Sequence, residues 1–192
     1  MSSLTDLTKK IIDQMPPSTR FQKADTQLLM KHKEELLALE PKLVAVFYDT
    51  LFSHATTRAV FTDTERPARE ETLRHWWRRT VHGPFDEQYW TWQALVGVVH
   101  VKRKVKNPMM IGMWGLMLTT IRKELHNQIA PAELDELMEG MERLATTVQS
   151  LTAESYLEHY IAALREATGF NAELLDRMVA NQVDDLLAAA KA

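Results

Sequence analysis

Val96-Gly97-Val98-Val99-His100-Val101-Lys102, followed by Asn107-Pro108-Met109-Met110-Ile111-Gly112-Met113-Trp114, is the stretch whose reading decides the fold. A single imidazole sits in a run of Val and Gly, and an apolar segment rich in Met and Trp opens just beyond it. Neutral imidazole is a good ligand for iron, and a haem needs one such ligand held between apolar walls. A core histidine with satisfied nitrogens fits the same spacing. Gly97, one turn before His100, costs about 1 kcal/mol against Ala in a helix. It therefore marks a close approach, either of something flat or of another helix.

Working outward, apolar residues recur at three- and four-residue spacing in nearly every segment, and alternating strand patterns are absent. The chain reads as all-α. Upstream, Asp86 after Gly83-Pro84-Phe85 can cap the helix that carries His100. Pro41, Pro67, Pro108 and Pro131 each suit a first helical turn, where the missing N–H has no partner to lose. Asp63 or Thr64 would start the helix through Leu73, Trp76 and Trp77. Asp25 or Thr26 would cap one with the stripe Leu28, Leu29, Leu36 and Leu37. Downstream, a long helix from Ala130-Pro131 to about Gly169 carries Leu134, Leu137, Met141, Leu144, Val148, Leu151, Tyr156 and Ile161 on one side. A single domain over 1–192 is expected, with a core over about 26–168. A helix over about 4–15 precedes that core, and one over about 172–190, capped by Asn171, follows it.

Composition narrows the chemistry. There is no cysteine, which excludes disulfides, thiolate zinc and iron–sulfur ligation. The formal charge of −3 gives no global basic bias for nucleic acid. The N-terminal residues lack the apolar run of a signal peptide, and no apolar window is long enough to span a bilayer. A cytoplasmic protein is expected. Histidine pairs at metal-site spacing, phosphate loops and nucleophile elbows are missing, so hydrolase and nucleotide chemistry gain no support. His32, His54, His82, His126 and His159 lie among polar residues and are read as solvated. Tyr48 lies on an inner helix face beside Phe47, and a buried phenol needs a partner. A backbone carbonyl or a ligand would serve.

Several of these pieces occur together in a recognisable order. Phe47-Tyr48-Asp49-Thr50-Leu51, His75-Trp76, Gly83-x-Phe85-Asp86-x-x-Tyr89, Val96-Gly97-x-Val99-His100-Val101 and Ile111-Gly112 resemble the globin domain of globin-coupled sensors, protoglobins and single-domain sensor globins. The match runs over roughly 28–151. The resemblance implies a globin fold with an additional N-terminal helix and a b-type haem; the C-terminal helix would be extra. It implies that His100 is the proximal iron ligand. Tyr48, beside Phe47, would be the distal donor to dioxygen, and Phe61 would wedge the haem. Leu73 and Trp77 would form the distal wall, and Val96, Met113, Trp114 and Met117 the proximal and lower pocket. Relatives continue past the histidine with Ile-Gly, where this chain has Arg103-Lys104; either basic residue could meet the propionates.

The resemblance further implies a gas-binding or gas-sensing protein for O2, NO or CO. It would be a homodimer through its last two globin helices, signalling to a separate partner. A haem enzyme (nitric oxide dioxygenase or peroxidase-like) and a haem-free globin-like interaction module are the alternatives.

Overall fold

A computed structural model describes residues 3–62 and 64–190. Among the described residues ten α-helices follow one another: α1 (Leu4–Gln14), α2 (Lys23–Lys31), α3 (Lys33–Ala38), α4 (Glu40–Ser53), α5 (Ala55–Arg58), α6 (Arg66–His82), α7 (Glu87–Arg103), α8 (Asn107–Leu125), α9 (Pro131–Thr168) and α10 (Ala172–Ala190). No strand occurs among the described residues. The fold is all-α and globin-like.

Local chemistry sets most helix starts. Ser3 accepts the Asp6 N–H while the Asp6 carboxylate reaches back to the Ser3 N–H, a reciprocal capping box. The Asp86 carboxylate accepts the Tyr89 N–H at 2.8 Å and starts α7. Prolines 41, 67, 108 and 131 all fall in first turns. Asn171 caps α10 through the Leu174 N–H at 2.8 Å. Glu65 is the residue before α6, where Asp63 or Thr64 was expected. Thr64 lies in the preceding turn, and Asp63 lies outside the described residues.

Three expectations need correction. Asp25 does not cap α2; it lies inside the first turn and accepts the Gln22 N–H at 2.8 Å. It is 1 % exposed and is gripped by Arg143 from α9, Nη2 to Oδ1 at 2.7 Å. The Leu28–Leu37 stripe does not form one helix, because the chain bends at His32, which ends α2 and opens α3. Nor is His32 solvated. It is 4 % exposed, with Nε2 3.0 Å from a Glu133 carboxylate oxygen.

α9 is the element against which α1, α2, α7 and α8 pack, and its most extensive crossing is with α7. Gly97 sits at that crossing. A Cβ there would stand 2.4 Å from the Thr152 carbonyl oxygen and 2.8 Å from the Tyr156 nitrogen. The close approach is therefore helix to helix. The main core gathers Leu29, Leu36, Trp77, Ile121, Leu137, Met141 and Leu144 among others. Each such side chain stabilises the fold by about 1.5–3 kcal/mol relative to exposure. The apolar side of α9 is buried as far as Ser155, whereas Leu157, Tyr160, Ile161 and Leu164 beyond it are exposed. None of the α10 residues is buried, so this helix does not cover the bundle.

Candidate functional site

Between α4, α6, α7 and α8 lies a cavity of about 360 Å³, in the ~300–1,000 Å³ range of cofactor and small-molecule sites. α4 contributes Phe47, Tyr48 and Leu51; Phe61 comes from the segment after α5. α6 contributes Arg69, Thr72, Leu73 and Trp76, and α7 contributes Gln93, Val96, Val99, His100 and Arg103. From α8 come Met109, Met110, Met113, Trp114 and Met117, and from α9 Val148 and Thr152. Val96, Val99, His100 and Arg103 recur at three- and four-residue intervals, so one face of α7 presents all four.

His100 is partly buried, and among the described residues neither ring nitrogen has a hydrogen-bond partner. Burial, followed by the nearby Arg103 cation, pushes its pKa down to about 4. The ring is thus neutral at physiological pH, the form that ligates metals. Tyr48 is 5 % exposed, and its hydroxyl donates to the Arg69 carbonyl at 2.7 Å. Burial holds its pKa up at about 12, so the phenol keeps its proton. Of the two partners open to it, the backbone carbonyl is the one it has. Phe47 meets Tyr48 edge-on, with centroids 5.2 Å apart, and Phe61 stacks on Phe52 at 5.4 Å. Leu73 packs in the same cluster as Tyr48 and Met113.

Arg103 reaches away from its own helix. It forms a two-pronged bond to Glu65, Nη1–Oε1 at 3.0 Å and Nη2–Oε2 at 3.1 Å, and also donates to the Val60 carbonyl at 3.2 Å. Its guanidinium lies 5.6 Å from the Phe61 centroid, within cation–π range. The bond from Arg103 holds the Glu65 carboxyl down at about 2. Together these contacts tie the last turn of α7 to the start of α6. Lys104, in a left-handed backbone conformation at φ 59°, ends α7 and is not part of the cavity wall.

Trp77 is the predicted wall residue that the structure sets apart. It is 1 % exposed, faces the core, and donates its indole N–H to the Leu36 carbonyl at 2.9 Å. A single residue step turns a helix by about 100°, and Trp76 takes the place in the wall. Its indole N–H donates to Gln93 Oε1 at 3.1 Å, and its ring meets Trp114 edge-on at 5.3 Å. Apart from Trp77 and Lys104, the sequence-predicted site residues line this cavity.

Sequence reasoning missed Arg69, Trp76 and Gln93 in the wall and Glu65 behind it. Gln93 lies seven residues before His100, two turns along the same face, and Arg69 one turn before Leu73. Helical spacing could have found both. The Arg103–Glu65 pair had no local signal.

Chemically, the cavity is an apolar slot with one unpartnered neutral imidazole and one protonated phenol. Its wall includes two guanidinium groups and no carboxylate among the described residues. Among those residues no helix is long and apolar enough to cross a membrane, and no group of three or more His, Asp or Glu could hold a metal ion by itself. A search of curated proteins finds no match. The model of the Protoglobin family matches residues 8–162, a span that contains every residue of the cavity wall. The chain belongs to the protoglobin family.

Proposed function

We propose that the protein binds a b-type haem in this cavity through His100 and reversibly takes up a diatomic gas there, O2 and also NO or CO. The observation that carries the reading is the neutral, unpartnered imidazole of His100 in a wall of Val, Met, Phe and Trp. A haem fits that donor set: flat apolar faces for the walls, a carboxylate edge for the cationic side of the wall, and an iron in want of one nitrogen ligand. When bound, the haem would supply an iron with an open coordination position for the gas.

The chain's own part is to hold, shield and discriminate. Packing of α7 on α9 fixes His100, while the Met and Trp side chains of α8 keep water out. Tyr48 is the donor on the opposite helix. A phenol has one proton to give, so Tyr48 can serve a ligand only by releasing the Arg69 carbonyl. A weak acceptor would not compete for that proton; a partly negative one would.

On this reading the protein is a gas binder that signals to a separate partner, and turnover of nitric oxide or peroxide would be a side activity. A homodimer through α8 and α9 is supported by the outer face of α8. There Ile111 is exposed and Gly112 and Gly115 look onto open space, which lets another helix approach closely. A monomeric mass at micromolar concentration by light scattering would remove that dimer.

The deciding experiment is the visible spectrum of the purified protein after haemin addition, with and without dithionite and carbon monoxide. Stoichiometric uptake and a Soret shift with carbon monoxide are expected, with uptake lost in His100→Ala. No uptake, or a spectrum indifferent to His100→Ala, refutes the proposal.

A further inference from the structure

Arg69 lines the cavity from α6, and its cationic group is the least engaged of those nearby. A guanidinium carries five N–H bonds. Among the described residues that of Arg69 has one contact, Nη2 to Glu65 Oε1 at 3.3 Å, and its Nε–H is out of reach of water with no acceptor. Glu65 has little left to offer. Its carboxylate already takes two N–H bonds from Arg103 and the Thr62 N–H at 2.9 Å. Arg66 and Arg78 on the same helix are paired at 2.6–2.8 Å with Asp49, Glu70 and Glu40. With no carboxylate among the described residues of the cavity wall, no such group balances the positive charge of Arg69 on the side that an occupant would meet.

We infer that Arg69 is the anion-recognising residue of the cavity, taking a planar, singly charged oxyanion group on the donors of its Nη1 and Nη2 groups. The guanidinium fork matches the spacing of two carboxylate-type oxygens, which a point-charge ammonium does not. Arg103, the residue expected to meet propionates, is held by Glu65 and is not free for the task. Two sources share this chemistry: the carboxylate edge of a porphyrin, and a free monoanion such as formate or nitrite. The inference rests on the haem reading for the first source and for the way the second is measured.

The test has two arms, each run on the full chain and on Arg69→Met, Arg69→Lys and Glu65→Gln. In the first arm the haem-free protein is titrated with metal-free protoporphyrin IX and with its uncharged dimethyl ester, followed by tryptophan fluorescence quenching. In the second, the haemin-loaded ferric protein is titrated with formate, nitrite and neutral imidazole, followed in the Soret band. If the porphyrin is the source, Arg69→Met weakens the diacid at least about tenfold, the worth of one charge-assisted hydrogen bond, and spares the ester. If a free anion is the source, formate and nitrite weaken by that factor and imidazole does not. Arg69→Lys should recover part of either loss. Glu65→Gln, which releases both guanidinium groups, should tighten the same anion several-fold, a gain that structural damage does not produce. Equal losses for charged and neutral ligands, no loss in either arm, or weaker anion binding in Glu65→Gln overturn the inference. A chain that takes up haemin but is indifferent to Arg69 overturns the inference alone. A chain that takes up neither haemin nor porphyrin overturns the haem reading with it.

Discussion

Replacing Gly97 by alanine sets two physical effects against each other, and the sign of the outcome separates them. Helix propensity alone predicts a gain of about 1 kcal/mol, since glycine is that much worse than alanine inside a helix. The crossing of α7 and α9 predicts the opposite. The added methyl would lie 2.4 Å from the Thr152 carbonyl oxygen, 2.8 Å from the Tyr156 nitrogen and 3.0 Å from the Ser155 Cβ. Two of those three atoms belong to the backbone of a 38-residue helix and cannot rotate aside. Ordinary contact lies near 3.5–4.0 Å, so α7 must back off by about 1 Å along its main packing seam. Overpacking of this kind costs about 1–3 kcal/mol, and backbone neighbours put it at the upper end. Net of propensity, a loss of about 2 kcal/mol remains. For a chain of this size that lowers Tm by about 4–8 °C. Thermal and urea unfolding of the haem-free protein measure it, and an unchanged urea slope confirms that stability alone has moved. Because His100 lies three residues further along α7, haemin affinity should fall as well. A Gly97→Ala protein as stable as the parent would refute the reasoning.

Other outcomes follow from single contacts. Tyr48→Phe removes the bond to the Arg69 carbonyl and should cost about 1 kcal/mol. On the haem reading it also speeds dioxygen release more than carbon monoxide release in flash photolysis, and equal changes would count against Tyr48 as donor. Arg143→Met strands the buried Asp25 carboxylate. It should destabilise the fold by about 3 kcal/mol, the low end for a broken buried pair, and a loss within error in urea melts would be contrary. Because Arg103 depresses the Glu65 carboxyl from 4.5 to about 2, the pair contributes stability that is complete above pH 4.5 and is lost as pH falls towards 2. The stability difference between the parent and Glu65→Gln should therefore be flat at neutral pH and shrink only in that acid window. A difference that vanishes already between pH 7 and pH 5 would contradict the assignment.

The sequence by itself determined what depends on neighbours along the chain. Three- and four-residue spacing of apolar side chains, prolines in first turns and the Asp86 cap are local terms, so the helices and their order were legible. So was the placing of Tyr48 on an inner face, whereas Val96, Phe61 and Met113 were set beside His100 only by the resemblance of the ordered motifs to a known family. Only the tertiary structure decided what depends on residues brought together from far apart. It made Gly97 a seat for the backbone of α9 instead of a flat ligand. It turned Trp76, in place of Trp77, to the cavity, a choice that one step of helix rotation reverses. It gave the Tyr48 proton to the Arg69 carbonyl, clamped Arg103 to Glu65 38 residues away, and buried Asp25 against Arg143 118 residues away. Burying a charge or a polar hydrogen is favourable only when its partner arrives with it, and no pattern within one helix records which distant partner that will be.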